Sequence, residues 1–321
     1  MLHTTLERSA TPTVESTVLS CAERAIIRAL IYFDLFKHPL RRDEIMAFSS
    51  LHEGPSGDLD RALVNLLTKG LVAEADGHYA LSRTGELASR RMCFSERAQS
   101  RMAKAHRNSK LIGSFPFVRA VMLSGSISKG VLDEQGDIDY FIITAPRRLW
   151  VARTLLVLYK KLFLLNSRRD FCVNYFIDTD HVAIEDRNIF TATEVVTLIP
   201  TYGPDVCREF FDANGWAFER FPNMPRERNL PHHAPPRQRQ VISERLLCGS
   251  LGEWLDDAFM RLTYIRWKRK FSGMDARNFE HALRTRKYVS KHHPQGFQQR
   301  VLKALQERIR QFEREHGLSL A

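Results

Sequence analysis

Apolar and polar positions alternate along the chain with changing period, and the period marks the elements. Ala22 to Phe36 carries Ile26, Ile27, Leu30, Ile31, Phe33 and Leu35 at helical spacing, which predicts a buried helix ended by His38-Pro39. A second helix is expected over Arg41 to Phe48. A third is expected from Asp58 to Lys69, with Leu59, Leu63, Leu66 and Leu67 as its stripe and Gly70 as its stop. Leu71 to Leu81 then holds Asp76-Gly77 between two short alternating runs, a strong hairpin signal. Ser82 to Ser109 is rich in Arg, Lys, Ala and Glu and reads as one long linking helix.

The next two apolar runs are strands. Val118 to Leu123 stops at Ser124-Gly125-Ser126, and Ile138 to Ile143 opens with Asp137-Ile138-Asp139. Side chains alternate faces along a strand, so Asp137 and Asp139 project on the same side. Two neighbouring carboxylates repel unless a cation lies between them, and Mg²⁺, which keeps some waters and takes phosphate oxygens, suits such a pair. Gly125 lets a phosphate approach the backbone closely, and Ser126 offers a hydroxyl followed by N–H groups that can open a helix toward an anion. Lys129 adds a cation, though a loop lysine is more often simply solvated. Gly125 and Gly130 have P-loop spacing, but Val131-Leu132 stand where that motif requires Lys and Ser or Thr.

Gly-Ser, about ten residues and Asp-x-Asp between two apolar strands together resemble the nucleotidyltransferase superfamily typified by DNA polymerase beta, and in particular its minimal nucleotidyltransferase branch. The resemblance covers about Val118 to Thr144, and more loosely the chain to about Thr193. It implies an α/β catalytic domain with a mixed sheet, an NTP such as ATP held at Gly125, Ser126 and Lys129, and Mg²⁺ on Asp137 and Asp139. The family places a third carboxylate on the following strand, here Asp170 to Asp178. Its middle residue is Asn174, which cannot take a proton at neutral pH. By period two, Asp170, Cys172, Asn174, Phe176 and Asp178 share a face, so Asp178 or Asp170 is expected to supply the missing metal ligand from a strand end. If neither does, turnover should be slow or absent.

Beyond that strand, Thr191 with Glu194 three residues on reads as a helix-capping box. Three helices and a hairpin over 21–82 resemble a winged helix-turn-helix domain, whose third helix would carry Arg61 and Lys69 against Asp58 and Asp60. The expected order is a tail over 1–20, the winged-helix domain, a linking helix over 83–112, the nucleotidyltransferase domain over 113–221, a Pro-rich linker over 222–236 and a basic helical domain over 237–321.

Composition adds bounds. The chain has 321 residues, 44% hydrophobic and 26% charged, ordinary for a globular protein with a sizeable core. Met1 to Ser20 lacks an apolar signal region and no run spans a bilayer, so the expected compartment is the cytoplasm, without membrane contact. Five dispersed cysteines point to free thiols rather than disulfides or zinc. Of the net charge of +11, the segment from Arg237 onward contributes +9, from 18 Lys/Arg against 9 Asp/Glu. Such a surface suits contact with nucleic acid. The acceptor of the nucleotidyl group, whether small molecule, protein hydroxyl or RNA end, is not encoded in any motif. The other reading is a catalytically weak or inactive regulator of the same fold that binds DNA or a protein partner through its winged helix.

Overall fold

The computed structural model describes residues 18–51, 57–81, 84–167, 169–227, 229–233, 235, 238–292 and 296–321. The tail expected over 1–20 therefore falls outside the described residues except for its last three. The last of them caps a helix. Ser20 accepts from the Glu23 amide and Glu23 accepts from the Ser20 amide at 2.7 Å, a capping box that opens α1 (Cys21–Asp34) and contributes about 1 kcal/mol.

After α1 come β1 (Leu40–Arg41), α2 (Arg42–Phe48), α3 (Gly57–Thr68), β2 (Ala73–Ala75) and β3 (His78–Ala80). The three short strands form an antiparallel sheet in the order β1-β3-β2. The β2–β3 turn has Asp76 at φ 50° and Gly77 at φ 71°, two left-handed residues that match the twist of a tight hairpin. Ile26, Ile27, Ile31, Leu40, Ile45 and Leu66 fill the core between them. The long α4 (Thr84–Gly113) then carries the chain across the molecule.

The central unit runs β4 (Val118–Ser124), β5 (Asp139–Thr144), α5 (Leu149–Phe163), β6 (Cys172–Asp178), α6 (Ile189–Thr197), β7 (Ile199–Tyr202), α7 (Pro204–Ala213) and α8 (Gly215–Arg220). β4 and β5 are antiparallel, β5 and β6 parallel, and β7 lies antiparallel outside β4. Pro200 is tolerated in β7 because the strand is at the sheet edge, where one side of the ladder needs no donor. One face of the sheet, with Val121, Leu123, Tyr140, Ile142 and Phe176, packs with Ile112 of α4 and Trp150 and Leu156 of α5. The other, with Met122, Phe141, Ile143 and Ile177, packs under α6, α7 and α8.

The remaining elements are α9 (Gln238–Leu247), α10 (Ser250–Lys270), α11 (Ala276–Ala282), β8 (Thr285–Arg286), β9 (Val289–Lys291) and α12 (Phe297–His316). They correct the expectation of a separate helical domain over 237–321. β9 pairs antiparallel with β6, so this segment completes a six-stranded mixed sheet in the order β7-β4-β5-β6-β9-β8. α12 buries Val301, Leu305 and Phe312 in the same core as α1 and α3, because its apolar stripe is matched there and not by α9–α11. α1 and α12 pack together, and α1, α6, α12 and the turn after β4 meet at a common point. No helix among the described residues is long and apolar enough to cross a membrane.

Candidate functional site

That common point is the turn after β4. Ser124 pairs with Asp139 in the β4–β5 ladder, and Gly125 follows with φ 69°. A methyl group added at Gly125 would lie 2.6 Å from Asp139 Oδ2, so the glycine corner and the carboxylate are in direct apposition. Ser126 is exposed at the mouth of the turn, which continues as a single 3-10 turn, Ile127–Lys129, closed by Gly130. Its first amides have no partner within the turn.

Ile138 is fully buried on one face of the sheet, while Asp137 and Asp139 on either side of it are half-buried. The alternation thus holds through the approach to β5, although regular strand begins only at Asp139. Asp139 lines a cavity of about 280 Å³. Its carboxyl is pushed up to about 6: desolvation raises it most, the Cys172 thiol hydrogen-bonds to it and lowers it, Asp137 and Glu194 raise it, and Lys129 lowers it.

Lys129 is not a solvated lysine. Its Nζ donates to Glu194 Oε1 at 2.9 Å and to the Gly125 carbonyl at 3.1 Å. Glu194 in turn is not part of a cap. α6 is capped by Asn188, which accepts from the Thr191 amide at 3.0 Å, and this leaves Glu194 one turn further in, aimed at the glycine corner. The spacing of Thr191 and Glu194 in the sequence mimics a capping box, and this hides the role of Glu194.

Asn174 lies on the Asp139 cavity and donates from Nδ2 to Cys172 Sγ at 2.7 Å. It is the extra residue of a bulge: Tyr140 pairs with Val173 and the next partner of β5, Phe141, pairs with Tyr175. The bulge breaks the period-two argument across β6. Before it, Cys172 stands beside Asp139; after it, Phe176 joins the opposite face of the sheet. Asp178, two residues beyond Phe176, follows that face and pairs with Thr144, about 16 Å along the sheet from Asp139 at roughly 3.3 Å per residue.

Asp178 as a metal ligand is therefore corrected. It is buried, and its Oδ1 lies 2.7 Å from His181 Nδ1. Asp170 is also committed elsewhere, to Arg101 at 2.6 Å and to Lys104. Neither strand-end carboxylate completes the pair.

The rest of the cavity wall is mainly aromatic, with Phe141, Tyr175, Phe190 and Phe210, plus one cation that no motif announced. Lys291 of β9 is buried there, bonded to Gln298 at 2.9 Å and 3.7 Å from Asp186; desolvation lowers its ammonium, against the pull of Asp186.

Asp137 lies near enough that its charge raises the Asp139 carboxyl, and a pair of carboxylates of this kind suits a hard, oxygen-seeking cation. Among the described residues no group of three or more His, Cys, Asp or Glu side chains is arranged to hold a metal. Comparison with protein-family models, with curated proteins and with solved structures finds no match. The geometry is what bears on function.

Proposed function

We propose that this chain is a Mg²⁺-dependent nucleotidyltransferase, moving a nucleotidyl group from an NTP to a hydroxyl acceptor with release of pyrophosphate. The observation that carries the reading is the apposition of the Gly125 corner and the Asp139 carboxylate at the lip of an aromatic-lined cavity. Between antiparallel β4 and β5, with β6 parallel beside them, this arrangement supports the polymerase-beta-like reading of the motif.

Asp137 and Asp139 would hold Mg²⁺, which supplies charge neutralisation for the phosphates during in-line displacement. Gly125 allows the β and γ phosphates to approach the backbone, Ser126 donates its hydroxyl, and Lys129 lies within reach of the same oxygens. The acceptor oxygen would attack the α-phosphorus as the bond to the β-phosphate oxygen breaks. Its proton needs a base, and Asn174 is not one. Glu194, on the same cavity and tied to Lys129, is the carboxylate available for that proton. Exposed Arg266, Lys268, Arg269 and Lys270 at the end of α10 would suit a polyanionic acceptor such as nucleic acid.

The test is release of pyrophosphate from each labelled NTP with Mg²⁺ across small-molecule, protein and RNA acceptors. Activity that persists undiminished in the Asp137→Ala/Asp139→Ala double variant removes these residues from the mechanism.

One observation favours a second reading, a regulator that binds nucleotide without transferring it: the mid-strand β6 residue on the Asp139 cavity, where the resembled family has a third carboxylate, is Asn174. The order of α1, β1, α2, α3, β2 and β3 supports a winged helix-turn-helix for its N-terminal part. Direct DNA reading is the weaker role for it. Arg61 pairs with Asp58, Lys69 with Glu23, and Asp60 takes Arg42, so the cations around α3 are already neutralised.

A further inference from the structure

Glu194, held by Lys129, borders two cavities. One is the cavity of Asp139; the other is a second cavity of about 240 Å³ that shares Gly125, Glu194 and Phe297 with the first. The second cavity is walled by α1, the turn that follows it and α4, and Ser126 opens into it.

Its charge is of the opposite sign. Lys37, Arg90, Arg91 and Lys129 line it against Asp133 and Glu194; Lys129 is matched by Glu194 and Arg91 by Glu44, which leaves Lys37 and Arg90 facing Asp133. Among the described residues Lys37 and Arg90 have no carboxylate partner, and both are exposed. Lys37 sits in a left-handed backbone position, φ 53°, in the turn that closes α1. Arg90 rests its guanidinium 5.1 Å from the centre of the Phe94 ring.

Arg91 is 4% exposed and anchored through its terminal nitrogens to the Pro39 carbonyl and Glu44, while its Nε–H is buried without a partner. Glu44 matches the Arg91 charge, so this guanidinium forms a fixed wall of the cavity and the cations left over are Lys37 and Arg90. The neighbouring His38 registers the local field: burial first, then the charges of Arg91, Lys129, His78 and Arg41, hold its imidazole down at about 3. His38 is therefore neutral and adds no charge of its own.

We propose that this cavity binds a polyphosphate chain, the β- and γ-phosphate tail of the nucleotide, so that the N-terminal unit contributes Lys37, and α4 contributes Arg90, to the substrate site. The proposal rests on the nucleotidyltransferase reading for the identity of the ligand, but the binding of a polyphosphate stands apart from catalysis. A tail there would pass over Gly125 and leave the α-phosphate at Asp139, with the aromatic cavity beyond it for the acceptor or the base. The N-terminal unit then acts as part of the active site, not as a distant appendage.

The test uses inorganic tripolyphosphate as probe, titrated calorimetrically into the full chain in EDTA, followed by competition with ATP. Wild type should bind the probe, ATP should displace it, and Lys37→Ala/Arg90→Ala should weaken both by roughly tenfold or more, the scale expected for lost charge-assisted contacts. Arg90→Glu, an exposed change that leaves the core intact, should weaken binding further, and the affinity should fall with salt. No binding by wild type, or equal binding by these variants, overturns the proposal. Failure of ATP to displace the probe overturns it in favour of free polyphosphate as the ligand. Asp137→Ala/Asp139→Ala should still bind the probe without metal; a protein that binds it but never releases pyrophosphate contradicts the enzyme reading and leaves this cavity's assignment standing.

Discussion

Gly125 and Asp139 stand so close that a single methyl group on the glycine would sit 2.6 Å from the Asp139 Oδ2 oxygen. Gly130, five residues on, has nearly the same backbone, φ 71° against 69°, and a methyl group there would meet nothing within 4 Å. The pair separates backbone strain from site geometry. Gly130→Ala should cost about 1 kcal/mol in stability through its left-handed backbone and leave nucleotide binding intact. Gly125→Ala should carry the same strain and in addition displace the Asp139 carboxylate, weakening Mg²⁺–nucleotide binding by roughly tenfold or more. Thermal melts and calorimetric titration of both variants check this.

Asp139 makes the site pH-dependent. Its carboxyl is raised from an ordinary value of 3.8 to about 6, chiefly by desolvation. A raised carboxyl binds its proton more tightly in the folded state, so its contribution to stability is present below about pH 4 and is lost as pH rises through about 6. Asp139→Asn should therefore raise the melting temperature of the metal-free protein at pH 8, by an amount equivalent to about 2 kcal/mol, with the advantage vanishing near pH 4. Mg²⁺ competes with that proton. Metal-dependent nucleotide binding should weaken about tenfold per pH unit below about pH 6 in wild type.

The Lys129–Glu194 bridge should move that titration. Lys129→Met removes the cation that lowers the Asp139 carboxyl and leaves Glu194, which raises it. The pH below which nucleotide binding weakens should shift upward, by up to about one unit. Lys129→Met/Glu194→Gln should return it close to the wild-type position. A calorimetric pH series, or carbon-detected NMR of the Asp139 carboxyl, reads both.

Asp178→Asn tests the correction on β6. Asp178 is buried against His181, on whose ring the Tyr288 ring stacks at 4.0 Å. Losing the carboxylate should cost about 1–3 kcal/mol in chemical denaturation, because the buried hydrogen bond to His181 is disturbed. Mg²⁺–nucleotide affinity should be unchanged, since the residue lies at the far end of the strand from Asp139. A large loss of metal affinity in a fully folded variant would return Asp178 to the site.

Much of the site is legible from local pattern. The apolar runs around Val121 and Ile142 mark two strands, and alternation around Ile138 places both acidic side chains on one side. What local pattern misses depends on distant parts of the chain. The bulge at Asn174 leaves no mark on hydrophobic spacing, yet it moves every later side chain of β6 to the other face, Asp178 included. β9 is three residues long, too short to stand out in a segment that otherwise reads as helix, and only its pairing with Tyr175, Phe176 and Ile177 brings Lys291 to the cavity. Lys37 and Arg90 are ordinary surface residues by sequence; the packing of α1 and α4 over the Gly125 turn brings them to one cavity with Ser126 and Lys129.

The most direct measurement is calorimetric titration of MgATP and the other three Mg²⁺–NTPs into wild type and into Asp137→Ala/Asp139→Ala, each repeated in EDTA. The account predicts that at least one nucleotide binds wild type more tightly with Mg²⁺ than without, and that the double variant, folded by circular dichroism, loses this metal-dependent gain. Equal affinity in the double variant, or no nucleotide binding by wild type with Mg²⁺ present, would contradict it.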